Sequence, residues 1–186
     1  TCVFRSNEFS EESAINLLAQ KNPYAKSKLM NEMIAQTYSD LYGIRTIGMR
    51  YFNVYGENSK AGHFLADQIA KIRDGRFECF GANETRSFCH VLDAVAGVEA
   101  LMTSHNAKNA IYNLGSSSAM TILELAKLVN HTLGGCSQVK LVPYQEVMPL
   151  GFEEILHRVP DVALIQKDTG WKSRLGLVEI IRDTAD

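Results

Sequence analysis

Long apolar runs are missing from these 186 residues: no stretch reaches the roughly 18 consecutive apolar residues that a membrane span requires. A basic excess is missing too. Lys and Arg number 19 against 21 Asp and Glu, a net charge of −2. A general nucleic-acid binder or a polybasic membrane binder is therefore not expected. The four cysteines, Cys2, Cys79, Cys89 and Cys136, have no C-x-x-C spacing and no His cluster beside them, so a zinc site is not expected. Reduced thiols in a cytoplasmic protein are the expectation. With 46% hydrophobic and 22% charged residues, the chain has neither a collagen-like nor a disordered composition. It opens on Thr1-Cys2-Val3-Phe4-Arg5, with no Met and no basic-then-apolar leader. It reads as starting inside a longer protein rather than with a signal peptide.

What is present is an alternation of strand and helix signals. Pro23 to Tyr42 reads as a helix, with Pro at its first position and Gly43 as its stop. Leu29, Met30, Met33, Ile34, Leu41 and Tyr42 recur near a 3.6 period. Ile44–Arg50 reads as a strand, Asn53–Lys60 as loop, His63–Arg73 as a helix and Phe77–Phe80 as a strand. Asp93 is placed as the cap of a helix from Ala94 to about Met102. Ala110–Leu114 is a strand, and Thr121 with Glu124 forms a capping box before a helix that stops at Gly134-Gly135. Val139–Val142, a helix from Pro160-Asp161 to Gly170, and a last helix over Leu177–Thr184 complete the pattern. Strands alternating with helices predict an α/β fold.

Tyr24 and Lys28 form Y-x-x-x-K on the first helix. A spacing of four puts both side chains on one face, about 6 Å apart along the axis. A phenol alone is a poor base at neutral pH, and a lysine ammonium nearby stabilises the phenolate. Such a pair can pass a hydroxyl proton in carbonyl–alcohol chemistry. The spacing alone is weak, since a surface tyrosine beside a solvated lysine has it too.

The surrounding motifs sharpen it. Asn22-Pro23-Tyr24-Ala25-Lys26-Ser27-Lys28-Leu29 resembles the active-site helix of the extended short-chain dehydrogenase/reductases, the NAD-dependent epimerase/dehydratase family acting on nucleotide sugars. Arg50-Tyr51-Phe52-Asn53-Val54-Tyr55-Gly56 is similar to that family's R-Y-F-N-V-Y-G. Arg86-Ser87-Phe88-Cys89-His90-Val91-Leu92-Asp93 is similar to R-D-F-x-x-V-x-D, and Tyr112-Asn113-Leu114-Gly115 to Y-N-[IL]-G. Arg158-Val159-Pro160-Asp161 and Thr169-Gly170-Trp171 are similar to R-x-P-D and L-G-W. The motifs follow the family's order along essentially the whole chain.

The resemblance implies the C-terminal part of a Rossmann-type NAD-binding fold plus a small nucleotide-sugar-binding lobe. Residues 1–56 and 90–117 belong to the first, residues 57–89 and 118–186 to the second. The family's glycine-rich G-x-x-G-x-x-G half has no counterpart in the sequence. The implied catalytic residues are Tyr24, the acid/base at the sugar hydroxyl, and Lys28, which holds the nicotinamide ribose. Tyr51 joins them at the cofactor, with Phe52 beside it; core packing is the alternative for both. Asn53, Arg86 and Arg158 are the implied substrate-binding residues around the diphosphate, since a guanidinium presents a planar fork of donors to phosphate. A turn-holding Asn and surface ion pairs are their alternatives. Asp93 is read as a cap rather than a catalytic carboxylate, Arg76 lies near the implied uridine pocket, and His63 and His90 are read as structural or solvent-facing.

The implied cofactor is NAD, and the implied partners are a UDP-sugar and a second copy of the chain, paired through the Tyr24 helix. The family's dehydratases and decarboxylases place Asp-Glu or Glu directly before the V-Y that Val3-Phe4 resembles. Thr1 and Cys2 stand there instead. Neither can serve as that carboxylate, so the sequence favours a UDP-sugar 4-epimerase-like enzyme. A dehydratase, decarboxylase or reductase of the same family, or an inactive fragment that binds sugar nucleotide weakly, are the alternatives.

Overall fold

The computed structural model describes residue 11 and residues 23–76, 78–107, 110–135, 140–142 and 156–186. Thr1 to Arg5 and Cys136 lie outside the described residues, and so do Asn22 of the Tyr24 motif and Phe77 and Val139 at the edges of two expected strands.

The first helix, α1, spans Pro23–Tyr42, the predicted bounds. Strand β1 (Ile47–Tyr51) follows, starting three residues later than expected. It pairs in parallel with β6 (Ala110–Leu114), in register from Ile47 opposite Ala110 to Tyr51 opposite Leu114. The Phe52 N–H extends the ladder by one bond, to the Leu114 carbonyl at 3.0 Å. The stretch expected to be all loop contains β2 (Val54–Tyr55), which pairs in parallel with β5 (Cys89–His90). Two residues are too few to show an alternating pattern, so the pairing partner alone reveals the strand.

Helix α2 (Phe64–Arg73) and β3 (Glu78–Phe80) come next. Strand β4 (Thr85–Arg86) is central in a three-stranded sheet, antiparallel to β7 (Met120–Thr121) and parallel to β9 (His157–Arg158). Strand β3 pairs with β8 (Lys140–Val142). Helix α4 (Ile122–Thr132) has the expected capping box. Thr121 Oγ1 accepts from the Glu124 N–H at 3.2 Å, and the Glu124 carboxylate accepts from the Thr121 N–H at 2.8 Å. Helices α5 (Ala163–Thr169) and α6 (Leu177–Ala185) close the chain.

Helix α3 corrects the sequence reading. It spans Val91–Thr103, and its cap is His90, not Asp93. His90 Nδ1 accepts from the Leu92 N–H at 3.1 Å, which leaves Nε2 to donate to Asp183 Oδ2 on α6 at 2.8 Å. Asp93 falls in the first turn, buried. Its carboxylate accepts from the Arg174 and Leu175 N–H groups at 2.9 Å each, and its carbonyl accepts from Trp171 Nε1 at 3.0 Å. A carboxylate close behind a helix start looks like a cap in sequence; here it pins a loop 80 residues downstream instead.

Two main apolar cores result. One lies around β6, with Leu101, Tyr112, Leu114, Val162, Ile165 and Trp171. The other joins α2, α4 and α6 through Leu65, Ile69, Leu125, Val129, Ile180 and Ile181. On α1 only Leu29 of the periodic apolar set is buried; Met30, Met33, Ile34, Leu41 and Tyr42 are exposed among the described residues. Their period is helical, as expected, but the described part of the fold does not cover their face.

The motifs meet at close approaches. A Cβ on Gly115 would stand 2.8 Å from Phe52 Cβ and 3.1 Å from Pro160 Cγ. One on Gly97 would stand 2.8 Å from Leu114 and 3.1 Å from Trp171. Gly115→Ala should therefore destabilise the fold by about 1–3 kcal/mol in urea unfolding, the usual cost of overpacking; unchanged stability would contradict this packing. Cys79 and Cys89 are buried thiols. Burial, with Asp93 nearby adding its charge, pushes the Cys89 thiol up to about 12. Native protein treated with iodoacetamide at mildly alkaline pH should leave both unmodified, and unfolding should expose both. Peptide mapping that finds either labelled in the native state would contradict their placement.

Candidate active site

In open parallel sheets, ligands bind beyond the carboxyl ends of the strands. At that end of β1 the chain runs through Tyr51, Phe52 and Asn53. Tyr51 is 44% exposed, and its hydroxyl donates to Met49 Sδ at 3.6 Å. Phe52 is fully buried and packs under Gly115, so of the two only Tyr51 is open to a ligand.

Asn53 takes a left-handed backbone with φ 43°, which Asn tolerates better than most residues. Its Nδ2 donates to the Ser87 carbonyl at 2.7 Å, and its own carbonyl accepts from the Cys89 N–H at 3.0 Å. Asn53 thus fastens the end of β1 to the segment between β4 and β5. The side-chain amide bridges two segments 34 residues apart.

Arg86 and Arg158 are brought together. They are register partners on the parallel strands β4 and β9, so their side chains leave the sheet as neighbours. The Arg86 guanidinium donates to the buried Glu84 carboxylate, to the Thr85 carbonyl at 3.0 Å and to the Leu156 carbonyl at 3.3 Å. Arg158 faces Tyr55. Burial pushes the Tyr55 phenol up; its hydrogen bond with the Leu65 N–H and the Arg158 charge act in the other direction. Arg76 is elsewhere, in an exposed 2.9 Å ion pair with Asp74. His63 is the N-terminal cap residue of α2 and meets Tyr55 ring edge to ring face at 6.2 Å.

Tyr24 and Lys28 meet as the four-residue spacing predicts. Lys28 Nζ lies 5.3 Å from the centroid of the Tyr24 ring, a cation–π distance, and the ring is 59% exposed. The Ser27 hydroxyl donates to the Tyr24 carbonyl at 2.8 Å and braces the first turn.

Three further polar pairings at this end of the sheet were not singled out from the sequence. Glu11 Oε1 accepts from the Asn113 N–H at 2.7 Å, and burial pushes its carboxyl up against the pull of that bond. Asn113 Nδ2 donates to the Asp161 carbonyl at 3.0 Å, which ties Y-N-L-G to R-V-P-D. Arg50 and Glu32 form a two-bond ion pair between β1 and α1. These are long-range pairings with no local signature; only Glu32, four residues past Lys28, extends a visible spacing.

The NAD dependent epimerase/dehydratase family model matches residues 1–115. A UDP-N-acetyl-alpha-D-glucosaminuronate decarboxylase of Bacillus cytotoxicus is 31% identical over 156 residues, covering 77% of this chain and 46% of the relative. A UDP-glucose 4-epimerase of Erwinia amylovora is 29% identical over 185 residues, covering 88% and 53%. UDP-glucuronic acid 4-epimerase from Bacillus cereus, solved in complex with NAD, superposes with a TM-score of 0.83 at 18% identity, over 98% of this chain and 57% of that one. That likeness shows the fold, a Rossmann-type α/β architecture. The chain spans about half the length of the curated relatives it matches. With more than half of the chain matched on the fold that its parallel strands already displayed, the chain belongs to the NAD dependent epimerase/dehydratase family.

Proposed function

We propose that this chain is the C-terminal part of an NAD-dependent nucleotide-sugar 4-epimerase acting on a UDP-sugar in the cytoplasm. The observation that carries the reading is the Tyr24–Lys28 pair, its ring and ammonium 5.3 Å apart on an exposed helix face. The nicotinamide-ribose end of NAD fits these residues, because a phenol and an ammonium on one helix face can both reach ribose hydroxyls. The pyrophosphate cradle of the family is not encoded in these 186 residues. When bound, NAD supplies the acceptor and donor of a hydride at the sugar C4.

The chain's own residues supply the rest. The Tyr24 oxygen takes the proton from the 4-hydroxyl as the C4 hydride departs, leaving a 4-keto sugar. It returns that proton when hydride comes back to the opposite face. Lys28 holds the ribose beside the Tyr24 ring. Tyr51 lines the cofactor end. Arg86 and Arg158, side by side in register, bind the diphosphate. Arg86 keeps Glu84 as its counter-ion, and Arg158 beside it adds a second guanidinium fork for phosphate oxygens. Asn53 sets the loop beneath it. We assign residues 1–56 and 90–117 to the cofactor domain and 57–89 and 118–186 to the substrate lobe. A second copy would cover the exposed apolar face of α1.

Epimerisation is favoured over decarboxylation by side-chain chemistry at Thr1 and Cys2, which offer no carboxylate. Identities of 31% and 29% to a decarboxylase and an epimerase do not separate the two.

In the enzyme that contains this chain, Tyr24→Phe should lower kcat for UDP-glucose to UDP-galactose conversion by roughly 10²–10⁴-fold, with UDP binding retained. Unchanged turnover would reject the role of Tyr24. Arg158→Gln should instead raise the KM for UDP-glucose about tenfold or more, as loss of a charged hydrogen bond does. A KM equal to that of the unmodified enzyme would remove Arg158 from the diphosphate site.

A further inference from the structure

We propose that Arg50 and Glu32 are a positioning pair that sets where α1 holds Tyr24 and Lys28 against the carboxyl end of β1. The proposal rests on the reading of Tyr24 and Lys28 as the reacting pair. Arg50 Nε donates to Glu32 Oε1 and Arg50 Nη2 to Glu32 Oε2, both at 2.8 Å. The side chains are only 5% and 15% exposed. Two parallel bonds between planar groups fix an angle as well as a distance, which one bond cannot do. A lysine could not reproduce that fork.

The placement in sequence gives the pair its leverage. Tyr24, Lys28 and Glu32 are spaced by four, so they share one face of α1 over about 12 Å of helix. Glu32 sits one turn beyond Lys28, and pulling on it moves the whole face. Arg50 sits one residue before Tyr51 and three before Asn53. The fork therefore joins the helix of the reacting pair to the strand that carries the rest of the site.

Among the described residues, little apolar packing does this work. Among the described residues, the 20-residue helix buries only Ala25, Leu29 and Ser39. Small or single side chains of that kind leave a helix free to roll. Nor is the pair a stability device: a buried ion pair roughly breaks even against apolar side chains of the same size. A buried, two-bond, charge-balanced contact one turn from Lys28 is what holding a helix in one orientation calls for.

The test is steady-state kinetics of the NAD-loaded enzyme with UDP-glucose, comparing Arg50→Lys and Glu32→Gln, each with and without Tyr24→Phe. Both variants keep the side-chain size, and Arg50→Lys keeps the charge. Arg50→Lys should lower kcat roughly 10- to 100-fold, the effect of an ångström-scale misplacement. KM for UDP-glucose should change by less than about twofold, because the arginines of β4 and β9 are untouched. In the Tyr24→Phe background the same change should cost less than about twofold, since a pair that acts through Tyr24 has nothing left to position. Amide hydrogen exchange of Tyr24–Glu32 should speed up in Arg50→Lys, while α4 stays protected.

An unchanged kcat in both variants, with Tyr24→Phe inactive, would overturn the positioning role and leave the proposed reaction standing. Equal losses in kcat, KM and thermal stability would also overturn it, reducing the pair to a structural contact. Full turnover in Tyr24→Phe would overturn the proposed reaction itself, and with it any role in placing that tyrosine. Unchanged exchange along α1 would contradict the pair's hold on the helix whatever the substrate.

Discussion

The parallel pairing of β1 with β6 is the constraint on which the described structure hangs. Five residues of β1 lie in register with five of β6, and the ladder runs on through Phe52. Several of the polar contacts described above are attached to the carboxyl end of that ladder. Arg50 reaches α1 through Glu32. Asn53 reaches the segment between β4 and β5 through the Ser87 carbonyl. Asn113, opposite Arg50, receives Glu11 on its N–H and holds the Asp161 carbonyl with its side chain. Such a convergence follows from parallel geometry: strands that run the same way deliver their carboxyl ends, and the loops after them, to one edge.

Close packing protects that edge. Phe52, Gly115 and Pro160 come from three separate motifs and meet where even a methyl group would not fit. Gly97 does the same between α3, Leu114 and Trp171. Interiors packed to this density pass a displacement on rather than absorbing it. Small residues at these points let β6 and α3 approach, and the approach in turn fixes where the next loop begins. A second core gathers Leu65, Ile69, Leu125, Val129, Ile180 and Ile181, and β5 meets α6 through the His90–Asp183 bond.

Much of this was legible in the sequence, and the parts that were share a physical basis. Helix bounds follow from local chemistry, so Pro23, the Thr121–Glu124 box and Gly170 marked real ends. The Tyr24–Lys28 contact follows from helix geometry alone. Asp93 misled because a carboxylate near a helix start has two uses, and only the position of residues 174 and 175 decides between them. The two-residue strands β2, β4, β5, β7 and β9 were invisible, since two residues carry no period. Without β4 and β9, only the family resemblance brought Arg86 and Arg158 to one site; no local pattern marked them as neighbours across 72 residues. The Arg50–Glu32 fork was hidden for the same reason: an ion pair 18 residues apart leaves no local trace.

We propose above all that the enzyme containing this chain moves a hydride to and from the sugar C4 while Tyr24 handles only the hydroxyl proton. UDP-glucose deuterated at C4 tests it most directly, with the UDP-galactose formed read by mass spectrometry and NMR. The account predicts that the deuterium stays on C4 of the product, with inverted configuration and no exchange with water. Deuterium lost to solvent, or a decarboxylated or deoxygenated product from any UDP-sugar the enzyme accepts, would contradict it.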